Sequence, residues 1–168
     1  MKIQKGFSLI ELLIVVVIIG VIAAIAIPNL LASRRSANES SAISALRTIH
    51  GAEITYKTTA GLGTFGSLAN LESEGLIDSV VAGATPGGTP KSGYYYDLTT
   101  APASGINPAI FDCEAPPITH TSVSPFAATG SRRFYMGDTG VMYANSDNGT
   151  ITADPLTRVI SGASPVNN

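Results

Sequence analysis

Between Phe7 and Ile27 the chain is apolar everywhere except at Ser8, Glu11 and Gly20, and this run limits what the rest can fold into. Coiled as an α-helix at ~1.5 Å per residue it reaches about 30 Å, the thickness of a bilayer's hydrocarbon core. The run can therefore cross a membrane. Glu11 is the anomaly within it. A charged side chain at a bilayer centre costs roughly 2.5–3.5 kcal/mol on insertion scales, and less near an interface. The carboxylate thus calls for a cationic partner. Cleavage between Gly6 and Phe7 would create one, because the new ammonium at Phe7 lies four residues from Glu11 and can pair with it within one chain or between neighbours.

Two simpler uses of the run compete with this. A secretory signal has a basic start, an apolar stretch of about 7–15 residues and an Ala-x-Ala-like cut site. Lys2, Lys5 and Ala24-Ile25-Ala26 fit that pattern, but the run is too long for it and Glu11 interrupts its start. A plain transmembrane anchor requires only the length. Lys2 and Lys5 on one side face Arg34 and Arg35 on the other, so charge bias resolves the topology weakly, and the short N-terminus is read as cytoplasmic.

The basic leader Met1 to Gly6, the Gly6-Phe7 junction and Phe7-Ser8-Leu9-Ile10-Glu11-Leu12-Leu13 followed by aliphatic residues to Pro28 resemble the type IV pilins and the related pseudopilins of type II secretion. The resemblance covers the first quarter of the chain. It implies cleavage after Gly6 and methylation at Phe7 by a prepilin peptidase/N-methyltransferase. It further implies a role for Glu11 in neutralising a neighbouring subunit's N-terminus at Phe7 during assembly. Gly20 and Pro28 match the positions between which the helix often unwinds in assembled filaments.

With 168 residues and 45% hydrophobic content, the chain has material for one membrane-active helix and one small domain. Its formal charge of −2 becomes −4 once Lys2 and Lys5 leave with the leader, so no basic surface is offered to nucleic acid. Cys113 is the single cysteine, which excludes an intramolecular disulfide; many major pilins carry such a bridge. It reads as a small buried hydrophobe, with intermolecular pairing as the alternative.

Beyond Pro28, Ala42, Ala45, Leu46, Ile49, Ala52 and Tyr56 recur at steps of three and four, a helical stripe suited to packing on a sheet. One helix over 7–58 is expected, with 7–27 in the membrane or filament core and Pro28 kinking it or loosening its hydrogen bonds. Gly61, Gly63 and Gly66 stop it. They also spell G-x-G-x-x-G, but a dinucleotide site needs a preceding strand, and here a helix precedes. Gly83 to Ser92 has the wrong spacing for a phosphate loop and reads as a flexible connector. Ser67 to Gly75 predicts a short helix with Ser67 as N-cap and Gly75 as a left-handed stop, leaving Leu76 and Ile77 to anchor its exit.

Alternation at Tyr94, Tyr96 and Leu98 predicts a first strand. Residues 101–125 carry five prolines and read as a long loop with one irregular strand near Ile110 to Cys113. Arg132 to Met136 and Val141 to Tyr143 flank Gly137-Asp138-Thr139-Gly140 as a hairpin. Asp147-Asn148-Gly149 would turn the chain into another strand at Thr150 to Thr152, and the tail from Ser161 to Asn168 is expected to be mobile. The expectation is an α+β chain: leader 1–6, helix 7–58, and a globular domain 59–168 with a small antiparallel sheet of three or four strands.

No nucleophile motif is recognisable, and His50 and His120 lack metal-ligand spacing, so no enzyme, cofactor or metal site is expected. Asp138, Asp147, Asn148 and Asp154 fall in oxygen-rich turns that can hold calcium, although Asp and Asn are ordinary turn formers. Tyr94, Tyr96 and Phe134 fit core packing better than a conductive aromatic array. Asn38-Glu39-Ser40 and Asn148-Gly149-Thr150 match the short N-glycosylation pattern. The favoured function is a subunit of a homopolymeric pilus. Its partners would be the processing enzyme and an inner-membrane assembly platform with its ATPase. It would be single-pass in the inner membrane as a precursor, and assembled into an extracellular pilus or a periplasmic pseudopilus. The alternatives are a type II secretion pseudopilin or a membrane-anchored domain that never polymerises.

Overall fold

The computed structural model describes residues 6–147, 149–154 and 157–166, so most of the leader and the Asn148 position of the expected turn lie outside the described residues. The chain divides into two compact units, Met1–Arg34 and Arg35–Asn168. Helix α1 (Leu9–Thr58) contributes to both.

In the first unit the apolar side chains of α1 have nothing around them. Leu9, Ile19, Ile25 and Leu30 are among many aliphatic residues that stay more than half exposed. Leucine and alanine supply the helix preference, and Pro28 lies within α1 without ending it. The Asn29 side-chain amide donates to Ile25 O at 3.1 Å, and Ser33 Oγ donates to Asn29 O at 3.0 Å. These side-chain bonds brace the turns on either side of the proline.

In the second unit the helix is one-sided. Ala42, Ala45, Leu46, Ile49 and Ala52 are buried as the stripe predicts, and Tyr56 is half-buried. They share a core with Leu68 and Leu71 of α2 (Leu68–Ser73) and with Val81 and Ala82 of α3 (Ser79–Ala82). Ser67 caps α2 in a reciprocal pair with Asn70. Gly75 at φ +69° and the bond from Leu76 N–H to Leu71 O close its far end. The glycines at 61 and 63 stop α1 by donating to Tyr56 O and Lys57 O.

The main sheet runs β1 (Asp97–Ala101), β2 (Ile110–Ala115), β3 (Arg133–Gly137), β4 (Met142–Asn145), β7 (Ser164–Pro165), all antiparallel. Its register puts Cys113 opposite Met136, Ala115 opposite Phe134 and Phe134 opposite Ala144, so the core-facing side chains of neighbouring strands coincide. These residues and the α1 stripe form one cluster, which is how the helix packs on the sheet.

The hairpin β3–β4 matches its sequence signal, and four other expectations are corrected. Tyr94 and Tyr96 are fully buried but precede β1, because their backbone bonds go to Lys91 O and Ala84 O rather than into a ladder. Ile110–Ala115 is a complete central strand; Pro108 and Pro116 bound it instead of breaking it. The segment at 83–92, expected as a flexible connector, is an exposed but hydrogen-bonded turn. Gly88 and Thr89 donate to Thr85 O and Gly83 O there, and a side chain at Gly88 would overlap the Gly83 carbonyl.

The fourth correction concerns the chain after β4. β5 (Thr152–Ala153) leaves the meander to pair with β6 (Ile160–Ser161) in a separate two-stranded sheet. Residues 164–165, expected to be mobile, instead line β4, and Val166 N–H donates to Met142 O at 2.9 Å. Pro165 is tolerated there because β7 is an edge strand and the missing N–H interrupts no further ladder.

A Cβ at Gly130 would overlap the hydroxyl of Tyr94, whose ring is fully buried and whose O–H donates to Arg132 O at 2.8 Å. Gly130→Ala is therefore expected to lower unfolding stability by about 1–3 kcal/mol, read as an earlier midpoint in urea denaturation of the full chain in detergent.

Candidate functional site

Helix α1 begins one residue after Ser8, and Glu11 occupies its first turn. Ser8 N–H donates to Glu11 Oε2 at 2.9 Å, half of a Ser-x-x-Glu capping box. The carboxylate is thereby folded back toward the chain entering the helix, the side on which a Phe7 ammonium would appear. It also lies against the positive end of the helix dipole. Its other oxygen has no partner among the described residues. Phe7 is 80% exposed, so the Gly6-Phe7 junction is open to an external enzyme.

No atom lies within 4 Å of where a side chain on Gly6 or on Gly20 would begin. Packing inside this chain therefore requires neither glycine. Gly20 and Pro28 both fall within α1, which is helical between them in the single chain. The structure thus joins Ser8 to Glu11 one residue after Phe7, and leaves Gly20 and Pro28 as separate weak points of the helix, costing roughly 1 and 3 kcal/mol relative to alanine in a helix interior.

Two carboxylates on the inner face of α1 escaped the sequence reading. Glu39 and Glu53 extend the buried stripe at helical spacing, three residues before Ala42 and four after Ile49. That periodicity was the available signal. Glu39 Oε1 accepts from Ser131 N–H at 2.8 Å and Ser131 Oγ at 2.6 Å, and its Oε2 accepts from Arg132 Nε at 2.9 Å. Burial alone would raise this carboxyl, but the Ser131 hydroxyl and amide and the Arg132 guanidinium outweigh it and hold the group below the usual range.

Glu53 fares differently. It is completely buried; its Oε2 accepts from Gly66 N–H at 2.9 Å, and its Oε1 has no partner. Burial pushes the carboxyl up to about 7, with the Gly66 amide opposing only in part. The G-x-G-x-x-G segment thus serves as a helix stop whose final amide is tied to α1.

Other candidates resolve locally. His50 is half-buried with its ring 5.8 Å from that of Phe111, and His120 is buried with Nδ1 2.9 Å from Ser122 Oγ. Asp138 is ion-paired with Arg158, which also binds Asp112 at 2.7 Å, so a guanidinium occupies the place where that aspartate could have met a cation. Cys113 is buried and free, and burial drives its thiol pKa up.

A bare aliphatic helix with a first-turn carboxylate, followed by a small antiparallel sheet, makes this an α+β chain consistent with a pilin-like fold. The family description "Prokaryotic N-terminal methylation motif" matches residues 1–27. The chain is 62% identical over 39 residues to the type IV wide pilus major component PilA4 of Thermus thermophilus, covering 23% of this chain and 30% of that protein. It is 39% identical over 57 residues to type II secretion system core protein G of Klebsiella pneumoniae, covering 34% and 41%. It is 44% identical over 53 residues to the type IV major pilin protein PilA of Myxococcus xanthus, covering 32% and 24%. The chain thus spans less than half the length of each of these three relatives. No solved structure matches it.

Replacing Glu39 by alanine strands the Ser131 donors while Arg132, 42% exposed, keeps access to water. Glu39→Ala is expected to cost about 2 kcal/mol. Because the folded carboxyl lies below the usual value of 4.5, the wild-type advantage persists above that value and fades as the pH falls through the folded one. Paired urea titrations of wild type and variant between about pH 3 and 6 measure both effects.

Proposed function

We propose that the chain is a structural filament subunit, cut between Gly6 and Phe7, methylated at Phe7, and polymerised into a type IV pilus through its apolar helix. The observation that carries this reading is the pairing of a fully uncovered aliphatic helix with a carboxylate in its first turn, behind a matched methylation motif. In the inner membrane the helix would be solvated by lipid. In a filament, neighbouring helices would replace the lipid, with Gly20, Ala23, Ala24 and Ala26 allowing close approach. The transfer exchanges one apolar surrounding for another and so supplies little register specificity. Glu11 would supply it: its carboxylate meets the Phe7 ammonium of an adjacent copy in a low dielectric, which favours one axial offset.

Gly20 and Pro28 bracket the part of α1 that would unwind on assembly. Their intrinsic helix cost makes that stretch the cheapest to open, and the lack of any intrachain role for Gly20's missing side chain is in keeping with a contact made by another subunit. A membrane assembly platform and a cytoplasmic ATPase would drive extraction from the bilayer. No catalytic role is assigned.

A pseudopilin of type II secretion is the second reading, favoured by the similarity to core protein G. It shares the processing and the Glu11 chemistry, and differs in whether the filament leaves the cell.

The processing step is tested by intact-mass and N-terminal peptide mass spectrometry of protein sheared from native cells. A sheared chain beginning at methylated Phe7 is expected; an unprocessed chain confined to membranes would leave a tethered domain instead. Glu11→Ala is expected to insert into the membrane normally while filament yield falls at least about tenfold, the equivalent of one lost interaction of ~1.4 kcal/mol. Wild-type yield of sheared filaments would remove Glu11 from assembly.

A further inference from the structure

The turn at residues 61–66 is held to α1 by the Glu53 carboxyl. Among the described residues the Gly66 amide is its one hydrogen-bond donor; Oε1 is sealed from water without a partner, and the side chain is 0% exposed. A neutral carboxyl tolerates this site. A carboxylate with one donor does not, because a buried charge needs its remaining lone pairs satisfied.

The ionisable surroundings offer no compensation. Cys113 of β2 is within electrostatic reach of Glu53, and Tyr96, just before β1, is coupled to Cys113; burial holds both neutral. Asp97, Asp112 and Glu114 act on Cys113, and Asp78, ahead of α3, acts on Tyr96, so the formal charges around these two groups are negative. On α1 itself, Lys57 Nζ lies over the Phe65 ring at 4.4 Å, and the His50 ring packs on Phe111.

We infer that Glu53 is a proton-locked clasp: while neutral it keeps its contact with Gly66 dry and the 61–66 turn closed on α1, and loss of its proton raises the tendency of the turn to open and admit water. The turn carries Leu62, which is 92% exposed and held at φ +48° between two glycines. The clasp operates whether or not the subunit polymerises.

The sign follows from linkage. In the open turn the carboxyl is hydrated and ionises near its ordinary value of 4.5; in the closed turn it keeps its proton to about 7. The opening constant should rise about tenfold per pH unit across that interval and level off above it. The test is native-state hydrogen exchange at the Gly66 amide in the full chain in detergent micelles, corrected for intrinsic exchange. Protection is expected to fall about tenfold per pH unit between about pH 5 and 7 in the wild type. It should be flat in Glu53→Gln, which keeps an oxygen for the Gly66 N–H. A flat wild-type profile, or the same slope in Glu53→Gln, overturns the clasp. Should the variant fail to fold, the carboxyl-carbon titration of wild-type Glu53 is set beside the wild-type exchange profile: a midpoint at the pH where the rise in Gly66 exchange levels off supports the clasp, and a midpoint below about 5, or exchange that does not follow the titration, refutes it.

Discussion

One continuous helix has to satisfy two different surroundings, and the rest of the molecule follows from that constraint. Up to Leu31 the side chains of α1 are aliphatic on every side apart from Glu11 and Asn29, which suits a medium without water. From Glu39 onward they are apolar along a single stripe, which suits one packed partner. The second unit exists to cover that stripe, and its strands are registered so that Cys113, Ala115, Phe134, Met136 and Met142 meet it. The first unit has no such cover in the single chain. Lipid or other helices must provide it.

The covered face is not purely apolar, and its two carboxylates show how local supply decides the state of a buried acid. Glu39 and Glu53 occupy equivalent positions on one stripe. Glu39 lies beside a hairpin that brings a hydroxyl, an amide and a guanidinium, and these keep it ionised. Glu53 lies beside a glycine turn that brings a single amide, so burial prevails. Glycines at 61 and 66 let the backbone approach the Tyr56 ring, and the one hydroxyl of the turn, on Thr64, is spent on Gly61 O. The contrast is one of neighbours, not of depth.

Much of this was legible in the amino-acid order. The apolar run, the stripe from Ala42 to Tyr56, the Ser67 and Gly75 caps and the β3–β4 hairpin each carry a local signal, and each forms where that signal lies. What failed was decided at long range. Tyr94 and Tyr96 alternate like a strand, yet their backbone is captured by Lys91 and Ala84. The strand at Ile110–Ala115 was legible only as an irregular piece near Ile110 to Cys113, because the flanking prolines suggested a loop and proline density marks a loop only when it falls inside the run. Residues 164–166 looked unanchored because what fixes them is β4, some twenty positions earlier. At the candidate site, Glu11 announced itself by being charged among aliphatics. Glu39 and Glu53 sit in a polar stretch, where acids are ordinary, and only the helical spacing set them apart.

The contacts at the start of the second unit have a mechanical meaning. Arg35 donates to Pro125 O, Asn38 donates to Thr129 O, and Glu39 accepts from Ser131 and Arg132, so three successive sites on α1 grip one segment some ninety residues later. A pull applied along α1 from its apolar end reaches these side-chain bonds before it reaches the stripe beneath Leu46 and Ile49. They would share the load, with the ionised Glu39 bonds the strongest of the set, and a brief rupture at Arg35 would leave the inner grips engaged while it re-formed. The helix is thus moored to the sheet unit by a graded series of fastenings, a form of attachment suited to tension.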